Sequence, residues 1–227
     1  MKNVVGAVKR TGLAAVAALS ICATATPAAA QICAGRGSFA DAPWQARIES
    51  SYSNSSKTFG PSITRGSSTV FIGAVADLVG YPTLDQAALS LGGTIGADGA
   101  IGRRASRVHG CPIMTLLHTF GPNVPGVNFS ANIASVGGRI GVVASENATL
   151  QVVPTFGMDV QYEHDIATST DAAITSTSSS RTFTVTRFGV GFVLNRKTTI
   201  TPEIVQIYGV AADTTLRVTA SFGFGTR

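Results

Sequence analysis

The chain has 227 residues, 13% of them charged and 44% hydrophobic, with a formal net charge of +5. The first thirty residues carry three basic side chains and no acidic one, so without them the charge falls to +2 and no argument for nucleic acid or a polybasic membrane contact survives. Mean hydropathy is positive, yet no stretch beyond Ala30 is an apolar run of helix length, which excludes a spanning helix.

At the N-terminus, Lys2, Lys9 and Arg10 precede an apolar run from Thr11 to Ala25, and Pro27-Ala28-Ala29-Ala30 supplies the small-residue pattern of a signal-peptidase site. Residues 1–30 are therefore expected to be a signal peptide, with Gln31 as the mature N-terminus. The apolar run is too short to remain as a membrane anchor. Residues 31–44 are expected to form a periplasmic N-terminal segment, and residues 45–227 a single barrel domain.

The remaining chain is dominated by a period of two. Strands are expected at 45–53, 58–66, 69–78, 86–97, 112–120, 127–143, 151–163, 182–195, 199–209 and 214–225. The count is ten, or eight if Gln45–Gly66 is a terminal segment. In the 127–143 run the alternation changes phase, from Val127, Phe129, Ala131 and Ile133 to Val136, Ile140 and Val142. A β-bulge at Gly137-Gly138 would absorb the slip and keep Arg139 off the lipid. The segment His164–Ser180 reads as a long Ser/Thr-rich loop, and Asn195-Arg196-Lys197 as a tight turn. In the last strand Leu216, Val218, Ala220, Phe222 and Phe224 alternate with polar or tiny residues.

Small residues on the polar faces (Gly157, Gly189, Gly191, Ser221, Gly223) suit a crowded lumen, and strand lysine is nearly absent, so the apolar face is assigned to lipid. The fold class is all-β, an antiparallel up-and-down transmembrane β-barrel of 8–10 strands. Its inner face then carries Arg47, Glu49, Asp77, Arg139, Asp159, Glu163, Arg187, Glu203 and Arg217, both signs in near balance. Such charges are expected to pair, because an unpaired charge in a narrow, side-chain-filled barrel is costly.

The signal peptide, the alternating strands and the aromatic, glycine-bearing final strand resemble the small bacterial outer-membrane β-barrel family of OmpA-like, OmpX-like and opacity-type transmembrane barrels. The resemblance spans the mature chain and implies an outer-membrane location, passage with periplasmic chaperones, and insertion by the barrel-assembly machinery. That machinery reads the last strand, here Leu216, Val218, Ala220, Phe222 and Phe224. The family's signal ends on a terminal aromatic, whereas Gly225-Thr226-Arg227 follow here. No peptidoglycan-binding domain is expected after the barrel. The expected partner is outer-membrane lipid, and the expected state is a monomer.

No enzyme, cofactor or metal site is expected: GxSxG, Walker, GxGxxG and HExxH patterns are missing. His109 and Cys111 flank Gly110 without a second ligand pair. Glu163-His164-Asp165 offers too few converging oxygens. Two other classes stay open. A lipid-acting hydrolase could use His164 with Ser169 and Glu163. A soluble periplasmic ligand carrier would turn Phe188, Phe192, Phe222 and Phe224 inward. Finally, Cys33 and Cys111 are the two cysteines left after cleavage in an exported chain, and they are expected to form a disulfide. An even number of crossings separates them, which puts both on one side of the membrane.

Overall fold

A computed structural model describes residues 42–67, 69–81, 86–101, 107–147, 149–170, 175–209 and 213–225. Ten long strands form the wall: β1 (Trp44–Tyr52), β2 (Lys57–Gly66), β3 (Val70–Tyr81), β4 (Gln86–Ala97), β6 (Val108–Phe120), β7 (Val127–Val142), β9 (Leu150–Ser169), β10 (Thr177–Leu194), β11 (Thr198–Tyr208) and β12 (Asp213–Phe224). Each pairs antiparallel with its neighbour in sequence, and β1 pairs β12 from Trp44↔Phe224 to Tyr52↔Leu216, which closes the ring. Two short strands, β5 (Gly99–Ala100) and β8 (Ser145–Glu146), extend β6 and β9 at the end where β1 begins. Closure removes every edge within the wall.

The medium on each side of the wall dictates the side-chain pattern. Ile48, Ile72, Leu116, Met158, Phe188, Leu216, Val218 and Phe222 all point outward, each at least half exposed. Their lumen-facing neighbours Glu49, Phe71, Thr115, Asp159, Arg217 and Ser221 do not. Aromatic residues gather toward the strand ends. At one end Trp44 stacks on Phe224 at 6.4 Å with Arg65 over the Trp44 ring, and at the other Lys57 lies over Tyr52. This is the outward apolar band with aromatic rims that hydrocarbon and its interfaces select.

The β10–β11 link is the expected tight turn. Asn195 and Arg196 sit at φ 48° and 58°, and the Lys197 N–H donates to the Leu194 carbonyl at 3.1 Å. A pair of left-handed residues matches the twist of a hairpin, and Asn tolerates that region better than most.

Two expectations about the strands are corrected. Most of the 164–180 segment is strand: β9 continues to Ser169 and β10 begins at Thr177, in register from Leu194↔Leu150 to Thr177↔Ala167. Ser and Thr pair there as well as apolar residues do, and nothing above an apolar band demands an apolar face. No bulge interrupts β7 either. Its register is continuous from Ser130↔Phe120 to Val142↔Val108 and, against β9, from Val127↔Ser169 to Gly141↔Thr155. Val136, Ile140 and Val142 face lipid while Ala131 and Ile133 face the lumen, so the phase change records apolar residues on opposite faces of one regular strand.

Above the wall the ring is uneven. β11 ends at Tyr208, opposite Thr184. Among the described residues, no strand pairs with Thr177–Thr182 of β10 on that side, while β9 supports the other side.

Candidate functional site

The lumen is stratified. Near the N-terminal end it holds apolar groups: Phe71 and Cys111 with Ile113 packed on them, and Val143, Val153 and Val193 in a second cluster. Toward the other end Phe183, Val185 and Val205 pack with Ile207 on one wall. Between them lies a charged layer.

Strand register builds that layer. Glu203 of β11 faces Arg217 of β12 directly across the ladder. Arg217 donates through Nε to Glu203 at 2.8 Å and through Nη1 to Glu49 at 3.1 Å. Arg47, two residues before Glu49 on the same face of β1, pairs with Glu49 and donates to Thr219 at 3.2 Å. Arg187 pairs with Asp159. Arg139 comes no closer to a carboxylate than 3.6 Å, from its Nη1 to Glu203.

Glycine makes the room. Gly157 stands between Arg139 and Arg187 in the β7–β9–β10 register, Gly137 faces Asp159, Gly60 faces Glu49, and Gly189 faces Glu203. A Cβ on Gly157 would come within 2.9 Å of Arg139 Cγ, and one on Gly189 within 2.6 Å of Glu203 Cγ. The glycines are therefore the space the long charged side chains occupy.

Of the nine charges expected inside, seven form this layer: Arg47, Glu49, Arg139, Asp159, Arg187, Glu203 and Arg217. Asp77 faces the same cavity, which measures about 180 Å³, but forms no ion pair among the described residues. Glu163 lies apart. It belongs to an upper cluster in which Arg181 reaches Glu163 at 2.9 Å and Asp165 at 3.7 Å, at the wall of an outer vestibule of about 480 Å³. Arg181 and Asp165 lie in the segment whose composition imitates a loop; the lumen-side alternation of Asp159, Gln161 and Glu163, extended by one step, reaches Asp165.

The remaining candidates are placed as follows. Leu216, Val218, Phe222 and Phe224 of β12 face outward, at 62%, 51%, 56% and 37% exposure. Phe188 and Phe192 also face outward, which removes the inward aromatic lining a soluble carrier requires. Glu163 and His164 point to opposite sides of the wall, so the hydrolase trio is not assembled. His164 Nδ1 instead meets Ser180 Oγ at 2.7 Å on the outer side, with Tyr162 donating to the same oxygen at 3.1 Å. No carboxylate orients that histidine among the described residues. His109 is buried, and no group of three metal-ligating side chains occurs among the described residues. Cys111 lies inside β6 rather than before it, faces the lumen and is disulfide-bonded. Cys33, its expected partner, lies outside the described residues.

Charges inside and hydrocarbon side chains outside invert the order of a water-soluble barrel. The fold is that of a small outer-membrane β-barrel.

No protein-family model matches the chain, and no curated protein does. Among solved structures, Ail, the attachment invasion locus protein of Yersinia pestis, aligns at 9% identity with a TM-score of 0.41, over 81% of this chain and 99% of that one. The KdgM porin aligns at 9% identity and a TM-score of 0.38, over 80% and 99%. The N-terminal β-barrel domain of Pseudomonas aeruginosa OprF aligns at 10% and 0.32, over 80% and 96%. These are likenesses of fold, and no residue role is carried across from them.

Proposed function

We propose that the mature protein is an integral barrel of the bacterial outer membrane with a structural, surface-exposed role, its lumen closed by side chains rather than open as a pore. The observation that supports the reading is the layer of four arginines and their carboxylates lying between apolar clusters inside a wall whose outside is hydrocarbon. Pairing lets charges sit inside such a narrow lumen, and the same side chains fill the path a solute would need. On this reading the signal peptide leaves after Ala30, and the barrel-assembly machinery takes the chain by β12, whose outward Leu216, Val218, Phe222 and Phe224 offer the apolar face such a strand needs. The long β9–β10 hairpin is placed on the cell surface.

The test is to fractionate cells, extract the protein with detergent, and compare gel mobility before and after heating. Outer-membrane recovery, a heat-dependent mobility shift and small or absent conductance in planar bilayers are expected. A protein that is soluble in the periplasm without detergent would end the proposal, and stable large-conductance steps would end its closed-lumen part.

A further inference from the structure

The charged layer is not internally balanced where its members touch. Four guanidiniums, those of Arg47, Arg139, Arg187 and Arg217, are contacted by three carboxylates, Glu49, Asp159 and Glu203. Arg139 is the under-served member. Its side chain is 9% exposed, its Nε and Nη1 are buried without a hydrogen-bond acceptor, and its nearest carboxylate oxygen stands at 3.6 Å. The Nε atoms of Arg47 and Arg187 are also buried without acceptors.

Buried guanidinium donors are expensive to leave unmet. All four arginines line the cavity of about 180 Å³, and the hydroxyl-bearing Ser62 and Ser135 stand on its walls. A polar cavity of that size holds several waters or one small polyatomic ion. Two carboxylates also face it: Glu49, already engaged by Arg47 and Arg217, and Asp77, which is not ion-paired and stands against Gly60.

We propose that this cavity is a binding site for one small inorganic oxyanion of the sulfate or phosphate class, held chiefly by Arg139 and Arg187. A planar guanidinium presents paired N–H donors that match two oxygens of such an ion, and the added negative charge supplies what the layer lacks at Arg139. Asp77 opposes binding by like charge from the far wall. The inference rests on the lumen geometry and not on the membrane setting.

The experiment uses the mature chain refolded from urea into detergent with sulfate present, so that access to the closed lumen is not limiting. The unfolding midpoint is then titrated against sulfate at constant ionic strength. Salting-out by sulfate stabilises any fold without saturating, so saturation and its dependence on the cavity are the readouts. The expected result is a saturable rise that is lost in Arg139→Gln and that saturates at several-fold lower sulfate in Asp77→Asn. No rise, or an unsaturating rise of equal slope in the wild-type and Arg139→Gln proteins, overturns the proposal. If Arg139→Gln does not fold, Asp77→Asn decides: an unchanged half-saturation point overturns it. Recovery of the protein as a soluble form would end the membrane reading and leave this titration standing.

Discussion

Glu203 is the residue on which the lumen layer depends most, and Glu203→Gln tests that dependence without changing the volume of the side chain. Glu203 is 5% exposed, accepts from Arg217 Nε at 2.8 Å, and is the nearest carboxylate to Arg139 at 3.6 Å. Neutralising it leaves Arg139 with no carboxylate within ion-pair distance, while Arg217 keeps Glu49 at 3.1 Å. Removing one partner of a buried ion pair typically costs 3–5 kcal/mol, because the other charge is left uncompensated. Arg217 retains half its compensation, so the expected loss is about 3 kcal/mol, at the lower end of that range. Reversible urea unfolding in micelles reads this directly, with heat-modifiable mobility and the fluorescence of Trp44, the chain's single tryptophan, as probes. The slope with denaturant should stay constant while the midpoint falls. The double variant Glu203→Gln/Arg139→Gln should recover part of the loss, since it removes the charge that the first change strands. A loss below about 1 kcal/mol, the value of a solvent-exposed pair, would mean that the layer is hydrated and refute the reasoning.

On the lipid face, Val218→Arg is expected to cost about 2–4 kcal/mol in the same assay, whereas Thr219→Ser on the opposite face of β12 changes little; equal losses would show the strand inside out. Gly189→Val forces a Cβ to within 2.6 Å of Glu203 Cγ and 2.8 Å of the Pro202 carbonyl, and should destabilise the barrel by about 1–3 kcal/mol, while unchanged stability would show slack around Glu203. At the rim beyond the apolar band, the hydrogen bond from Ser55 at 2.8 Å holds the Asp213 carboxyl below its ordinary value. Its contribution is therefore present above the unfolded carboxyl's pKa of about 3.9 and lost as pH falls through the lower folded value. An NMR titration of Asp213 should move upward in Ser55→Ala, and an unmoved titration would dissociate the two groups. Mass spectrometry of unreduced, alkylated protein from the envelope should yield a Cys33–Cys111 peptide pair; two alkylated thiols at those positions would end that pairing.

Where lipid lies outside and a polar interior inside, the alternation is written in the chain, and β12, the lower part of β10 and most of β9 can be read from it. The alternation loses its meaning where one of those media changes. Residues 164–169 and 177–181 stand above the apolar band, so apart from Ile166 their outward faces carry Ser, Thr and His and imitate a loop. In the lumen, Phe183, Val185, Ile133 and Phe71 are apolar on the face expected to be polar, and in β7 this looked like a slipped strand. The charged residues were visible as inward residues, but not their partners. Glu203 and Arg217 meet because β11 and β12 register them, and Gly157 serves both Arg139 and Arg187 only because three strands align. Period two gives a side of the wall, not a position along it.

The side of β10 above the wall, which no strand pairs among the described residues, bears on how copies of the chain would meet. Exposed stretches of unpaired strand are templates onto which another chain can be added, and they are most dangerous while many copies share one crowded surface. Here the stretch reads Thr177-Ser178-Ser179-Ser180-Arg181-Thr182, every residue exposed, with no aliphatic side chain and one fixed positive charge. Its backbone could accept a neighbour, but its side chains would gain nothing dry to pack against, and two such edges brought together would set arginine near arginine. The composition that disguised this strand as a loop thus acts as a gatekeeper against edge-to-edge association.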